Sequence, residues 1–190
     1  MEIVGILLAA GRGVRFDASG NADKLMQTLP GGERVAAASA RHLLQVLPTV
    51  QAVVRPGADA LADLLVQAGC RVRICRQANT GMAASLVAGL KQTPEADAWL
   101  IALADMPHVK PATIEALVAA LLGGADIVQP WCRGKGGNPA GFSRRHLAKL
   151  LQLEGDQGAR ALLQQHAVTR IEVDDEGIFR DIDTASDLHE

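Results

Sequence analysis

The sequence predicts an α/β domain in which a mostly parallel β-sheet is sandwiched between helices. Strand-like apolar runs alternate with helical apolar patterns over the first 130 residues, at a pitch that leaves room for a helix between successive strands. Glycine and proline residues mark the ends of these segments. Because the 190 residues contain no internal repeat, low-complexity tract or linker, we expect one domain over residues 1–190.

The first part of the chain contains most of the predicted elements. Strands are predicted at residues 3–8, 50–54, 72–75, 98–103 and 126–130. Helices are predicted at residues 34–47, 58–67, 81–90 and 111–122. The last helix has the clearest boundaries, since Pro111 opens it and Gly123 and Gly124 follow its end.

The pattern changes after about Cys132. Residues 133–139 form a glycine-rich loop, and residues 143–151 and 158–166 are predicted as short helices. Residues 168–173 and 178–179 are predicted as strands on either side of a turn at 174–177. Late strands of this kind often enter a sheet antiparallel, which is the expectation here.

Composition excludes several classes of protein. Lys and Arg number 19 against 21 Asp and Glu, and aromatic residues make up 3%, so no nucleic-acid partner is expected. No apolar run reaches the about 18 residues that span a bilayer, and no basic segment opens the chain as in a signal peptide. Three cysteines without CxxC spacing favour free thiols in a reducing compartment, so the expected location is the cytoplasm and a zinc site is not expected.

The segment after the first strand is the strongest functional signal. It consists of Leu8, Ala9, Ala10, Gly11, Arg12 and Gly13, followed by Arg15 and then Lys24. Glycine allows backbone N–H groups to approach phosphate oxygens, and the basic side chains neutralise their charge. Phe16 stands where a dinucleotide fingerprint needs its third glycine, and Gly134-Lys135 continues into Gly136 rather than the Ser or Thr of a Walker A loop. The loop therefore predicts polyphosphate binding of another kind.

These residues carry a resemblance to a known family. Leu8-Ala9-Ala10-Gly11-x-x-x-Arg15 with a following Lys resembles the opening of the nucleotidyltransferases that make nucleotide sugars and related compounds. Within them the chain is most similar to the molybdenum cofactor cytidylyltransferases and their guanylyltransferase relatives. The resemblance extends over nearly the whole chain and implies a Rossmann-like three-layer nucleotidyltransferase fold. Its further segments are Thr80-Gly81-Met82-Ala83-Ala84-Ser85-Leu86, Ala104-Asp105-Met106-Pro107, Gly137-Asn138-Pro139, Gly155-Asp156-Gln157-Gly158-Ala159-Arg160 and Asp181-Ile182-Asp183-Thr184.

The resemblance assigns roles in nucleotide binding. It implies that the loop of residues 8–13 wraps the NTP triphosphate, that Arg15 holds the leaving β- and γ-phosphates, and that Lys24 lies near the α-phosphate. The family usually has a shorter spacing between these two basic residues than the nine residues found here, and residues 18–22 are interpreted as an insertion. Gly81 and Ser85 are implied to line the nucleotide or acceptor pocket, although Asn79 and Thr80 could equally cap the helix that follows.

Two carboxylates are candidates for a metal site. Asp105 follows an apolar strand at the edge where parallel sheets bind ligands, but a residue there could also belong to a turn or a helix cap. The resemblance makes Asp105 the first ligand of Mg²⁺, with Mn²⁺ as the alternative metal, and Asp183 the second. Asp183 or Thr184 could instead cap a helix, and Asp181 is predicted to be structural.

The same resemblance implies the reaction and its substrates. Asn138, Asp156 and Arg160 would bind a molybdopterin-type acceptor, although Arg160 could be a surface residue paired with Asp156. Asn138 stands where many relatives have a histidine. The methyl group of Ala10 narrows the space beside the base, which favours CTP over GTP.

The expected reaction transfers CMP from CTP to the terminal phosphate of molybdenum-molybdopterin and releases pyrophosphate, by positioning and charge neutralisation. The alternatives are a guanylyltransferase, a nucleotidyltransferase for another small phosphate, and a chaperone that hands the cofactor to a molybdenum enzyme.

Overall fold

The computed structural model describes residues 1–13, 15–17, 22–156 and 158–189. An eight-stranded sheet forms the centre of the molecule. Its strands are β1 Ile3–Ala9, β2 Val50–Val54, β3 Arg71–Ile74, β4 Ala98–Leu103, β5 Ile127–Cys132, β6 Lys135–Gly136, β7 Ala140–Ser143 and β8 Thr169–Glu172. The helices are α1 Val35–Leu44, α2 Asp59–Gln67, α3 Met82–Leu90, α4 Pro111–Leu122, α5 Leu147–Leu150 and α6 Arg160–Gln165. Short 3₁₀ helices include Lys24–Met26, Ala78–Thr80, Arg144–His146, Glu176–Phe179 and Ser186–His189.

The strand order is β3-β2-β1-β4-β7-β5-β6, and β8 also pairs with β5. Strands β1 to β4 pair in parallel, so their carboxyl ends meet at one edge of the sheet. Ala9 pairs with Val54 and Leu8 with Leu103, which brings the segments after β1, β2 and β4 together at this edge. The predicted mostly parallel sheet is confirmed.

The sheet is the middle of three layers, and its central strands β1, β2 and β4 are buried on both faces. Along β1, Ile3 and Leu7 pack with α1, α2 and α4, whereas Val4 and Ile6 pack with α3, α5 and α6. Such alternation follows from the two-residue period of a strand. None of the described helices is both long and apolar enough to cross a membrane.

The last third of the chain departs from the sequence-based expectations. The antiparallel strands are β6 and β7. The sequence pattern assigned β6 to the loop of residues 133–139, and it assigned only Ser143 of β7, to the start of a helix. The predicted late strand forms β8 but pairs in parallel with β5, so the antiparallel expectation for it was wrong. β7 escapes detection because it is four residues long and contains Gly141, which packs directly against Val128 and Leu121 of its neighbours.

The strand predicted at residues 178–179 was also wrong, because Glu176–Phe179 is a 3₁₀ helix. The carboxylate of buried Asp175 accepts a hydrogen bond from the N–H of Gly177 at 2.9 Å and caps this turn. The other oxygen of Asp175 accepts from Lys110 N at 2.8 Å and Thr113 Oγ1 at 2.6 Å, at the start of α4. Contacts to α4, distant in sequence, thus fix the local conformation.

Candidate active site

The loop after β1 lines a cavity of about 350 Å³ at the carboxyl edge of the sheet. Most of the predicted nucleotide-binding residues meet in its wall, together with residues of the acceptor and metal sets: Leu8, Ala10, Gly11, Arg12, Lys24, Gly81, Ser85, Asp105 and Asp156. Two others lie behind the wall. Ala9 is buried in β1, and Gly13 packs close to the aliphatic part of Lys24, where an added Cβ would lie 3.3 Å from Cγ.

The Lys24 side chain contacts the carboxylates of both Asp105 and Asp183. It begins a 3₁₀ helix that Asp23 caps, with Asp23 Oδ1 accepting from Leu25 N at 3.0 Å. Its ammonium lies 2.7 Å from Asp105 Oδ2 and 3.0 Å from Asp183 Oδ1, although the residue is only 8% exposed. Burial acts to lower the pKa of Lys24, but the charges and hydrogen bonds of the two carboxylates outweigh it and raise the pKa above its ordinary value. Lys24 is therefore a fixed positive charge at the cavity wall.

Arg15 lies on the other side of Asp183. Its guanidinium forms an ion pair with Asp183 Oδ2, so one carboxylate contacts both predicted phosphate-binding cations. Nine residues separate Arg15 from Lys24, yet both side chains reach the same carboxylate. Residues 18–21 of the predicted insertion lie outside the described residues.

Three aspartates approach one another closely enough to share a metal ion. One oxygen from each of Asp105, Asp181 and Asp183 lies within 4.8 Å of the others. The backbone connects them, since Ile182 N donates to Asp105 O at 2.8 Å. Asp105 Oδ1 is buried and has no hydrogen-bond partner among the described residues, a feature that a bound cation would explain. Carboxylate oxygens are the ligands that Mg²⁺ and Mn²⁺ prefer, so the residues fit such an ion.

Asp181, to which the sequence interpretation assigned a structural role, lies in this group of three carboxylates. Burial, and then the charge of Asp183, raise the pKa of Asp181 above its ordinary value. The available signal was its spacing of two residues from Asp183, which puts both side chains on the same side of an extended chain.

The capping alternative for Asp183 does not describe this segment. Asp187 Oδ2 accepts from the backbone N–H groups of Asp183 at 2.9 Å and Thr184 at 2.6 Å. Both oxygens of Asp183 instead face Lys24 and Arg15. Asp187 thus accepts the hydrogen bonds of the local backbone, and the Asp183 carboxylate contacts the basic side chains of the candidate site instead.

The start of α3 closes the cavity on another side. Asn79 accepts from Arg12 at 3.1 Å and Thr80 donates to Gln77 O at 2.9 Å, so neither side chain is used as a cap. Gly81 has a φ of 127°, and a Cβ there would lie 2.3 Å from Gly155 O. Only glycine fits this contact, which brings the segment around Asp156 against α3.

The predicted acceptor residues lie in a second cavity, of about 520 Å³. Asn138, Asp156 and Arg160 line it, together with Asp181. In the described part of the chain, no ion pair joins Arg160 to Asp156. The alternative in which Arg160 is a surface residue paired with Asp156 therefore does not describe this structure. The two cavities share a wall formed by Leu8, Met82, Leu103 and Asp156. The nucleotide and acceptor sets of residues are therefore neighbours.

Comparison with known proteins agrees with this geometry. Residues 5–170 match the MobA-like NTP transferase domain. The chain belongs to the MobA-like NTP transferase family. The fold class expected from the sequence is therefore confirmed, and the protein is a nucleotidyltransferase of this family. A search of curated protein sequences gave no match.

Solved structures show the same MobA-like architecture. Rv0371c from Mycobacterium tuberculosis H37Rv is 27% identical, with a TM-score of 0.85 over 98% of this chain and 95% of the other. A manganese complex of Rv0371C is similar at 24% identity and a TM-score of 0.79, over 98% and 96% of the two chains. Molybdopterin-guanine dinucleotide biosynthesis protein A from Archaeoglobus fulgidus is 22% identical, with a TM-score of 0.68 over 97% and 94%.

Proposed function

We propose that this protein transfers CMP from CTP to the terminal phosphate of a molybdopterin-type acceptor and releases pyrophosphate. The observation that carries the proposal is the pair of adjoining cavities beside one cluster of charges. Lys24 and Asp105 line the first cavity, and Asp181 lines the second. This arrangement suits two substrates that meet at a phosphate between them.

The reaction needs no nucleophile from the protein, because the acceptor phosphate is already anionic at neutral pH. One of its oxygens attacks the α-phosphorus of CTP and forms a new P–O bond. The bond from the α-phosphorus to the bridging α–β oxygen breaks, and its electron pair leaves with pyrophosphate. Arg15 would hold the β- and γ-phosphates, and Lys24 would neutralise charge at the α-phosphate. Their fixed positions then supply most of the catalysis.

A divalent metal would complete the neutralisation of charge. Asp105 and Asp183 would hold it, with Asp181 as a third carboxylate. When bound, Mg²⁺ or Mn²⁺ acts as a Lewis acid on phosphate oxygens. The manganese complex of the structurally similar Rv0371C supports a divalent metal as the cofactor.

The choice of CTP depends on Ala10. This residue lines the nucleotide cavity between Leu8 and Gly11, where an added methyl group leaves less room for a purine than glycine would. A single methyl group discriminates by about 1–3 kcal/mol, so we propose a preference for CTP rather than exclusion of GTP.

The acceptor assignment depends on the second cavity. Asn138 offers hydrogen-bonding groups and Arg160 a planar cation, both suited to a pterin with a phosphate. Met82 and Phe179 add apolar surface and are 44% and 38% exposed at its walls. The similar fold of the Archaeoglobus molybdopterin-guanine dinucleotide protein supports the same class of acceptor.

Product identification by mass spectrometry tests the proposal. The protein is incubated with Mg²⁺, molybdopterin-type acceptor and equal amounts of CTP, GTP and ATP, and pyrophosphate is measured in parallel. We expect the cytosine dinucleotide as the main product. A product that is mainly the guanine dinucleotide would favour the guanylyltransferase alternative. Turnover only with a different small phosphate compound would show that the acceptor is not of the molybdopterin type. Tight binding of the cofactor without any pyrophosphate would indicate a chaperone for a molybdenum enzyme.

A further inference from the structure

Arg55 contacts both the phosphate loop, residues 8–13, and the turn that carries Lys24, and it is not among the described residues that line either cavity. It follows β2 at the carboxyl edge of the sheet. Its Nη1 donates to Gly11 O at 2.9 Å, and its Nη2 lies 2.8 Å from Asp23 Oδ2. Gly11 and Asp23 are twelve residues apart in sequence, so one guanidinium connects the phosphate loop to the residue that precedes Lys24.

Each of these two contacts involves a residue that either lines the candidate site or holds a residue of it in place. Gly11 lines the nucleotide cavity, where backbone groups would face the triphosphate. Asp23 caps the turn that carries Lys24, through its Oδ1 and Leu25 N. Asp23 O also accepts from Gln27 Nε2 at 2.9 Å, which holds the other end of the same turn. Arg55 therefore acts on the loop and on Lys24 together.

The chemistry of Arg55 suits it to this position. A guanidinium presents its donors in a rigid plane and can serve two acceptors at once, whereas the ammonium of a lysine is a single point of charge. The Arg55 and Asp23 side chains are 25% and 20% exposed, so their ion pair is less screened than one at the open surface.

We propose that Arg55 is a positioning residue that sets the distance between the phosphate loop and Lys24 for nucleotidyl transfer. The kinetic part of this inference rests on the proposed function. The binding part does not, because it concerns how the phosphate loop engages any NTP. A displacement of about 1 Å at a reacting group can cost about 100-fold in rate, which is the size of effect expected.

The test compares Arg55→Gln and Arg55→Lys with the wild-type protein. Arg41→Gln is the matched control, because Arg41 also makes two contacts, to Glu33 at 3.0 Å and 2.9 Å, but is exposed and is not among the described residues that line either cavity. Thermal unfolding first shows which variants are folded. If Arg55→Gln does not fold, Arg55→Lys, which keeps the positive charge, takes its place in the comparison. Calorimetry then measures binding of CTP with Mn²⁺, and steady-state kinetics measure KM and kcat.

We expect Arg55→Gln to raise the Kd and KM for the nucleotide and to lower kcat, with kcat/KM falling about 100-fold. Arg55→Lys should recover part of this loss, and Arg41→Gln should behave as the wild type. Asp23→Asn should lower kcat with less change in KM, because it affects Lys24 more than Gly11. In the double variant the two losses should not add, since both substitutions break the same connection.

Nucleotide binding and kinetics of Arg55→Gln equal to those of Arg41→Gln would overturn the inference. So would fully additive effects of the Asp23 and Arg55 substitutions. If the wild type binds NTP but makes no nucleotidyl product, the proposed function fails, while the change in Kd still decides the role of Arg55. If the wild type binds no NTP at all, both fail.

Discussion

The two carboxylate oxygens of Asp105 have different surroundings. One oxygen contacts Lys24 at 2.7 Å, whereas the other is buried without a hydrogen-bond partner among the described residues. Leaving a buried carboxylate oxygen unsatisfied is costly in the folded state. This is the arrangement expected of a ligand whose second oxygen is reserved for a cation.

Replacing this carboxylate tests the metal site. We expect Asp105→Asn to abolish turnover and to weaken Mn²⁺ binding by more than the about 10–100-fold typical of residues that only support a ligand. Electron paramagnetic resonance titration measures the Mn²⁺ affinity independently of activity. Asp126→Asn is the control, because Asp126 pairs with Arg145 on the surface. Unchanged Mn²⁺ affinity in Asp105→Asn would remove Asp105 from the metal site.

Ala10 permits a second test at the scale of one residue. Ala10→Gly removes the methyl group from the cavity wall, and we expect the ratio of kcat/KM for CTP to that for GTP to fall about tenfold or more. Ala9→Gly is the matched control, since Ala9 is the adjacent residue but points into the core. It should reduce stability without changing the ratio. A constant ratio in Ala10→Gly would show that base choice lies elsewhere.

At the scale of elements, the contact between α3 and the segment at Gly155 shapes the nucleotide cavity. Ala83 N donates to Gly155 O at 3.0 Å, and Gly81 leaves room for the same carbonyl. This contact also places Asp156 where both cavities meet. One glycine therefore supports two binding surfaces.

Gly81→Ala should disrupt this junction. Gly81 has a φ of 127° and a ψ of 170°, a conformation that costs about 1–3 kcal/mol for alanine, and a Cβ at 2.3 Å from Gly155 O requires the backbone to shift as well. Gly124→Ala is the control, because Gly124 has a φ of 95° with nothing within 4 Å of the added Cβ. Urea unfolding and nucleotide binding should show a larger loss of stability in Gly81→Ala and weaker binding only there. Equal losses in both variants would contradict the proposed junction.

The secondary-structure elements also show where sequence patterns predict the structure correctly and where they do not. The strands β2 and β4 and the helix α4 have the predicted bounds, because long apolar runs and a terminal proline determine them locally. The segment Glu176–Phe179 does not, because Asp175 binds α4 from 65 residues away in the sequence. A contact over that separation leaves no periodic signal.

At the scale of the whole molecule, burial of histidines makes stability depend on pH. Burial is the main cause that lowers the pKa values of His42, His108 and His146 below the ordinary 6.5. The unfolded chain therefore binds more protons than the folded one as the pH falls below this value. The free energy of unfolding must then decrease with decreasing pH in that range.

Urea unfolding at about pH 7.5 and about pH 5.5, on either side of the histidine range, measures this dependence. We expect lower stability at the acid value. The triple variant His42→Gln, His108→Gln, His146→Gln should show a smaller difference between the two pH values. Comparing it with the wild type isolates the histidines from Asp181, whose raised pKa contributes with the opposite sign. The same difference in both proteins would assign the pH dependence to other groups.

The α/β sheet between two helical layers and the position of Arg15 and Lys24 after the first strand could be predicted from the sequence, and the family resemblance implied the pairing of Asp105 with Asp183. The first two follow from local patterns, namely apolar strand-like runs and a glycine-containing loop after the first strand, whereas the carboxylate pair follows from motifs that resemble those of the family. Such signals lie within a few residues of one another, so they can be read along the chain.

Three features could be seen only in the folded chain: which strands run antiparallel, that Asp181 lies beside Asp105 and Asp183, and that Arg55 connects Gly11 to Asp23. Each depends on residues far apart in sequence whose contacts arise from the order of strands in the sheet. A sequence pattern specifies which side chains are available at each position. Their distances are fixed only when the parallel strands bring their carboxyl ends to one edge.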